Sequence, residues 1–166
     1  MRILLASLAL ALLSGCGLAP MYAGGGSGMV AQSLAAIEVA PIEGRAGWLV
    51  RSALEERLGA AGQANARYRM DVRLDDQLEG LAVLRDDTIS RERRTLRARY
   101  QLVDLATGEI VLDATDGSDA GIDVVSSEYA VIAAEQTALQ NLSQDLAQRM
   151  VTRVALALRE QGEAPQ

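Results

Sequence analysis

The sequence predicts an α+β protein: a two-layer sandwich with two helices packed on one face of a mixed four-stranded sheet, in the order β-α-β-β-β-α. Three observations lead there. Apolar and charged residues alternate along 67–75 and again along 91–102, the period of a strand buried on one side only. Large apolar residues recur every three to four positions along 44–58 and 129–159, the period of an amphipathic helix. Leu105-Ala106-Thr107-Gly108-Glu109 reads as a tight hairpin, with Gly108 supplying positive φ, so the long strands form an antiparallel meander.

Ahead of the domain, Arg2 is a positive n-region and Ile3 to Leu13 an apolar run, too short to span a bilayer as a helix. Residues 1–15 therefore read as a signal peptide. Leu13-Ser14-Gly15-Cys16 resembles the bacterial lipobox. That resemblance implies diacylation of the Cys16 thiol, cleavage before it and acylation of the new amino terminus. Multiple acyl chains at one residue anchor stably where a single chain is marginal. The alternative is an ordinary secretory signal with an incidental cysteine. Gly17 is not the aspartate associated with inner-membrane retention, so by the same resemblance the outer membrane is favoured, with the domain on its periplasmic side. Residues 16–34, with Pro20 and Gly24-Gly25-Gly26-Ser27-Gly28, read as a flexible tether with a short apolar contact at Met29-Val30.

The domain proper spans 35–160. Ile37 and Val39 alternate in a short strand that Pro41 ends or places at an edge. Val50, Leu54 and Leu58 fall one turn apart in the first helix, and Gly59 stands where a left-handed C-cap is needed. Tyr68, Met70, Val72 and Leu74 face inward from the next strand; beyond Asp76 the alternation blurs, and Gly80 permits a bulge. Asp86-Asp87 marks a turn. Leu96, Ala98, Tyr100 and Leu102 share a face of the second long strand with Glu92 and Arg94, while Arg91, Arg93, Thr95, Arg97 and Arg99 occupy the other. Ile110, Leu112 and Ala114 face inward from the third. Asp116 to Asp123, polar and glycine-rich, reads as a loop. Ser126 or Ser127 caps a final helix running from Tyr129 to about Arg159, a rod of roughly 45 Å at 1.5 Å per residue. Residues 161–166 read as a disordered tail. The first crossover, being right-handed, places its helix on the apolar sheet face, and the last helix covers the same face. One charged sheet face stays bare.

Composition narrows the function. The chain has 166 residues, one cysteine, no histidine and a net charge of −6. It lacks the commonest general base and metal ligand, and cannot build a Cys/His zinc site or an internal disulfide. No metal site and no cofactor is expected beyond the covalent lipid on Cys16. No compact Ser or carboxylate motif stands out, which argues against an enzyme. The acidic balance argues against nucleic acid as a partner. Every cationic side chain is arginine.

Against that acidic background, Arg85, Arg91, Arg93, Arg94, Arg97 and Arg99 form a basic cluster. One reading is a solvated strand face, with Asp71 and Asp75 pairing across strands at about 0.2–1 kcal/mol each. Another is an anion-binding patch, since arginine forks grip phosphates bidentately. Arg91, Arg93 and Arg94 lie nearest the meander's tip. A third is docking of a protein partner.

The lipobox, the order of elements, and the stretches "GWLVRSALEERLG", "RYQLVDLATGEIVLDA" and "EYAVIAAEQTALQNLSQDLAQRMVTRVALAL" together resemble the LPS-assembly lipoprotein family LptE. The resemblance covers about residues 34–160. It implies a non-enzymatic outer-membrane lipoprotein that plugs the lumen of an LptD-type β-barrel, assists its assembly and contacts lipopolysaccharide during delivery to the outer leaflet. It links a basic residue near the loop between the two long strands to lipopolysaccharide contact; Arg85, Arg91, Arg93 and Arg94 occupy that neighbourhood. A competing expectation is an auxiliary lipoprotein of an ABC-type lipid transporter, which an apolar groove between helices and sheet would favour.

Overall fold

The computed structural model describes residues 29–59, 65–83 and 89–163. Along the chain lie α1 (Met29–Ala35), β1 (Ile37–Val39), α2 (Gly44–Leu58), β2 (Tyr68–Val83), β3 (Ile89–Asp104), β4 (Ile110–Asp123) and α3 (Glu128–Glu163). The strands form one mixed sheet in the order β1-β2-β3-β4. β1 runs parallel to β2, and the other pairs are antiparallel. This is the expected α+β sandwich with one additional helix.

β1 stops at Val39. Ala40 still gives its N–H to the Met70 carbonyl at 3.0 Å, and Pro41 stands on the open side of the strand, where its missing N–H costs no bond to β2. α2 ends as its sequence requires: Gly59 takes φ 66° and returns its N–H to the Glu55 carbonyl. Leu96, Ala98, Tyr100 and Leu102 of β3 are fully buried, as are Val50 and Leu54 of α2 and Leu146, Met150 and Val154 of α3. All the helices therefore pack on one side of the sheet.

Lengths decide how much of that side they cover. α3 has 36 residues, about 54 Å at 1.5 Å each. β3 has 16, about 54 Å at 3.4 Å each. One helix thus spans the whole sheet. α2, with 15 residues, covers only the end nearest β1, and farther along β2 the inward Leu78 stays 44% exposed.

Three segments depart from the sequence reading. Met29–Ala35, inside the stretch read as tether, is helical; Leu34 is buried and Val30 packs on the core, but seven residues are too few to display a period. Asp116 to Asp123, read as a loop, continues β4 in register with β3 as far as Asp123 opposite Arg91. The polar residues there belong in a strand because α3 supplies their partners: Ser118 Oγ donates to Asp145 Oδ2 at 2.6 Å, and Asp116 accepts from Arg153 at 3.0 Å. α3 also runs beyond Arg159 to Glu163. β2 continues past the blurred alternation to Val83, with register shifts around Ala82 next to the anticipated Gly80. The expected turn at Asp86-Asp87 lies outside the described residues.

Gly47 shows how tightly α2 seats. A Cβ there would stand 2.6 Å from the Ile42 carbonyl oxygen, inside contact distance of rigid backbone. Gly47→Ala should therefore destabilise the domain by about 1–3 kcal/mol, despite alanine's better helix propensity. Urea denaturation of the purified variant measures it; an unchanged or raised midpoint would show that α2 can lift off the 40–42 segment at little cost.

Candidate functional site: an arginine-rich sheet face

The face of the sheet opposite the helices is bare and charged. β3 runs through its centre and presents Arg91, Arg93, Arg97 and Arg99 outward, between acidic and polar residues of β2 and β4. Their neutralisation is uneven. Arg99 meets Asp113 at 3.1 Å, whereas Arg91–Asp123 at 3.5 Å and Arg93–Asp119 at 3.9 Å are looser, with both arginines more than half exposed. Arg73 and Arg97 have no acidic partner among the described residues. Exposed pairs of this kind are worth 0.2–1 kcal/mol, so a competing anion can displace them.

Glycines in β4 shape the same surface. A Cβ at Gly117 would come 3.2 Å from Arg97 Cγ, and one at Gly121 would come 3.5 Å from Arg91 Nε. Only the first is tight: the missing side chain at Gly117 leaves room for Arg97, whereas a Cβ at Gly121 would meet Arg91 at ordinary contact distance. At the opposite end a cleft of about 500 Å³ is lined by Pro41, Asp71, Arg73, Arg99 and Gln101. The sequence reading missed this cleft. The available signal was strand parity, which puts Arg73 and Arg99 on one face; that they are direct cross-strand partners needed the register.

The candidate arginines separate. Arg91 and Arg93 lie together on the bare face near its far end. Arg94 points to the helix side. It grips Asp76 with both arms of its fork, Nε to Oδ1 at 2.9 Å and Nη2 to Oδ2 at 2.7 Å, and donates Nη1 to the Glu135 carbonyl of α3 at 3.2 Å. It ties α3 to the sheet with its side chain only 16% exposed. Arg85 and Cys16 lie outside the described residues. Among the described residues no group of three or more potential ligands is placed to hold a metal, and no helix is long and apolar enough to cross a membrane.

The acidic residues that frame the fold are themselves tuned. Backbone N–H groups of Ala106 and Thr107, with Arg67 close by, hold the Asp104 carboxyl below the ordinary aspartate value. Arg99 and Gln101 do the same for Asp113, and Ser118 and Arg149 for Asp145. A carboxylate depressed in the folded state contributes stability that is complete above its unfolded value and is lost as pH falls through the folded value. Stability should therefore stay level above about pH 5 and decline below about pH 4. Thermal melts across that range measure it, and Asp145→Asn should remove part of the decline. A protein equally stable at both ends would show that these carboxylates gain nothing on folding.

This geometry sits in a recognisable lineage. The lipopolysaccharide-assembly family, LptE, matches residues 34–154. The chain belongs to the LptE family. Nothing among curated proteins matches it. Solved structures share the LptE-like fold. A Caulobacter crescentus CB15 protein, described as a lipoprotein, is 24% identical with TM-score 0.67, covering 78% of this chain and 96% of its own. Rare lipoprotein B of Shewanella oneidensis is 10% identical with TM-score 0.60, covering 76% and 98%. A minor lipoprotein of Acinetobacter baumannii is 14% identical with TM-score 0.59, covering 72% and 90%. Membership of LptE places the chain in lipopolysaccharide assembly, within a family of non-enzymatic outer-membrane lipoproteins.

Proposed function

We propose that this protein occupies the lumen of an LptD-type outer-membrane β-barrel, helps that barrel assemble and assists the passage of lipopolysaccharide to the outer leaflet. Lipid on Cys16 holds it at the periplasmic side and raises its effective concentration at the barrel mouth. The observation that carries this reading is the bare sheet face: a barrel lumen is polar, and a plug must present polar surface to it. Loosely paired arginines on that face, Arg91 and Arg93 foremost, suit the phosphates of lipopolysaccharide. Arg85 belongs to the same candidate group by its place in the sequence, and Arg94, clasped by Asp76 and the Glu135 carbonyl, completes the group from the helix side of the same end.

Affinity capture of the tagged full chain from mild detergent extracts should bring down a large outer-membrane barrel. Recovery of the chain alone would count heavily against the plug. Arg91→Glu combined with Arg93→Glu should weaken lipopolysaccharide binding about tenfold or more at low salt, with the difference shrinking as salt screens it. Unchanged low-salt binding would leave the face as a solvated one.

An accessory lipoprotein of an ABC-type lipid transporter is a second reading, supported by an open groove between β4 and α3 lined in part by Ala120, Ile122, Ala134, Ala138 and Leu142. Depletion separates the two. Surface lipopolysaccharide is lost with a misassembled barrel in the first case; phospholipid asymmetry alone changes in the second.

A further inference from the structure

A second group of charges lies at the β1 end of the bare face. Asp71, Arg73, Arg99 and Gln101 line the cleft of about 500 Å³ there, together with Ala40 and Pro41, which follow β1. Arg73 and Arg99 are direct cross-strand partners, as are Asp71 and Gln101. The two guanidinium groups start from Cβ atoms about 4.5–5.5 Å apart, and like charges so opposed destabilise a sheet unless something negative lies between them. The protein supplies that charge for only one of the two. Arg99 gives Nε and Nη2 to Asp113 at 3.4 and 3.1 Å, which leaves Nη1 for another acceptor. Gln101 holds the same Asp113 at 2.9 Å. Asp71 is taken by Arg69, Nε to Oδ1 and Nη2 to Oδ2, each at 3.1 Å. Asp75, next along the face, accepts from the Gln77 amide and stands opposite Arg97. Glu38 of β1 stands opposite Arg69. Arg73 is exposed and has no ion-pair partner among the described residues.

We infer that Arg73 and Arg99 form a carboxylate-binding subsite, filled by an Asp or Glu side chain from the wall of the barrel lumen. The inference rests on the plug reading proposed above, which turns this face toward that wall. A carboxylate has one oxygen for each guanidinium and bridges the pair. Charge selects it over a phosphate monoester: one unpaired arginine leaves one positive charge to balance, and the monoester brings about 1.5–2 negative ones. The recess adds to the attraction, because an ion pair shielded from water is stronger than one on a flat exposed face. The subsite is separate from the arginines proposed for lipopolysaccharide. Arg99 and Arg93 are six residues apart on β3, about 20 Å at 3.4 Å each. One face then serves two partners, a protein carboxylate at the β1 end and glycolipid phosphate at the far end.

The test exploits a chain whose cationic side chains are all arginine. Arg73→Lys keeps the charge and introduces the only side-chain amine. The full chain carrying it is captured with its barrel in mild detergent and treated with a water-soluble carbodiimide. That reagent joins an amine to a carboxylate in direct contact through an amide bond, with loss of water. Peptide mass spectrometry should find position 73 joined to an Asp or Glu of the barrel. Gln77→Lys, four residues along the same strand and face and outside the cleft, sets the background. The link at position 73 should exceed it about tenfold, the yield of an occupied contact over a chance one. Both positions are exposed, and circular dichroism checks that each variant folds. A recovered barrel with no link at position 73, with a link there only to Asp71 or Asp75 of the same chain, or with an equal link at position 77 overturns the subsite and leaves the plug standing. Absence of the barrel from captures of the variant and the unsubstituted chain alike overturns both. A link from position 73 to a sugar acid of lipopolysaccharide, or to a protein other than the barrel, overturns the occupant and the inference with it.

Discussion

Leu54→Ala is expected to lower the unfolding free energy by about 2–5 kcal/mol, near the upper end of that range. Leu54 is completely buried in α2, within one cluster that includes Ile37, Val50, Leu58 and Met70. α2 is held by docking: Gly47, Val50, Ala53 and Leu58 are buried along with Leu54. It spans 15 residues, and Glu43 at its N-cap makes no side-chain capping bond. A helix of that length is marginal alone in water, so its order depends on docking. Removing Leu54 leaves a cavity in that cluster, and Gly47, already pressed on Ile42, limits how far the helix can shift to close it. Trp48 in the same helix is 66% exposed, and Trp48→Ala should change stability by no more than about 0.5 kcal/mol. Urea titrations of both variants followed by circular dichroism give the comparison. Equal losses would mean that α2 is not seated as described.

Asp116→Ala should cost about 1–3 kcal/mol and act mainly on β4. Asp116 joins three elements: Tyr100 of β3 donates its hydroxyl to Oδ2 at 2.6 Å, and Arg153 of α3 reaches Oδ1 at 3.0 Å. Burial, then the Asp116 carboxylate, pushes the Tyr100 hydroxyl far above the ordinary tyrosine value, so it remains a donor throughout the accessible range. Without Asp116 that buried hydroxyl loses its acceptor. Tyr100→Phe should cost less, about 1 kcal/mol, since Asp116 keeps Arg153. The combined Tyr100→Phe/Asp116→Ala variant should be less destabilised than the two losses added together, by more than about 0.5 kcal/mol. Strict additivity would remove Tyr100 and Asp116 from a shared network. Hydrogen exchange should also quicken along 114–122, where β4 loses its tie to α3.

Legibility followed contrast along the chain. Where apolar and charged residues alternate cleanly, as in Tyr68 to Leu74 and Arg91 to Leu102, strand and inward face were readable from the order of residues. Gly59 and Gly108 were readable because each stands alone where positive φ is required; they adopt φ 66° and 74°. Asp116 to Asp123 defeated the same reading. Its inward positions carry Asp116 and Ser118, and no local rule says that Arg153 and Asp145 of a helix far along the chain will satisfy them. The setting of Arg94 was hidden for a related reason. Its parity already placed it with Leu96 and Ala98, yet a charge near a tip reads as solvent-facing until Asp76 and the Glu135 carbonyl come into view.

The amino-acid order alone determined the α+β class, the element sequence, the two long amphipathic strands and a function without histidine or paired cysteines, because each depends on local periodicity or on which atoms are present. Tertiary structure decided the length of β4, the seating of α1, the division of the arginines between two faces and the facing of Arg73 and Arg99 across strands. Those features depend on distances between segments remote in sequence. A strand ends, and a charge is paired or left free, according to what the rest of the chain brings beside it.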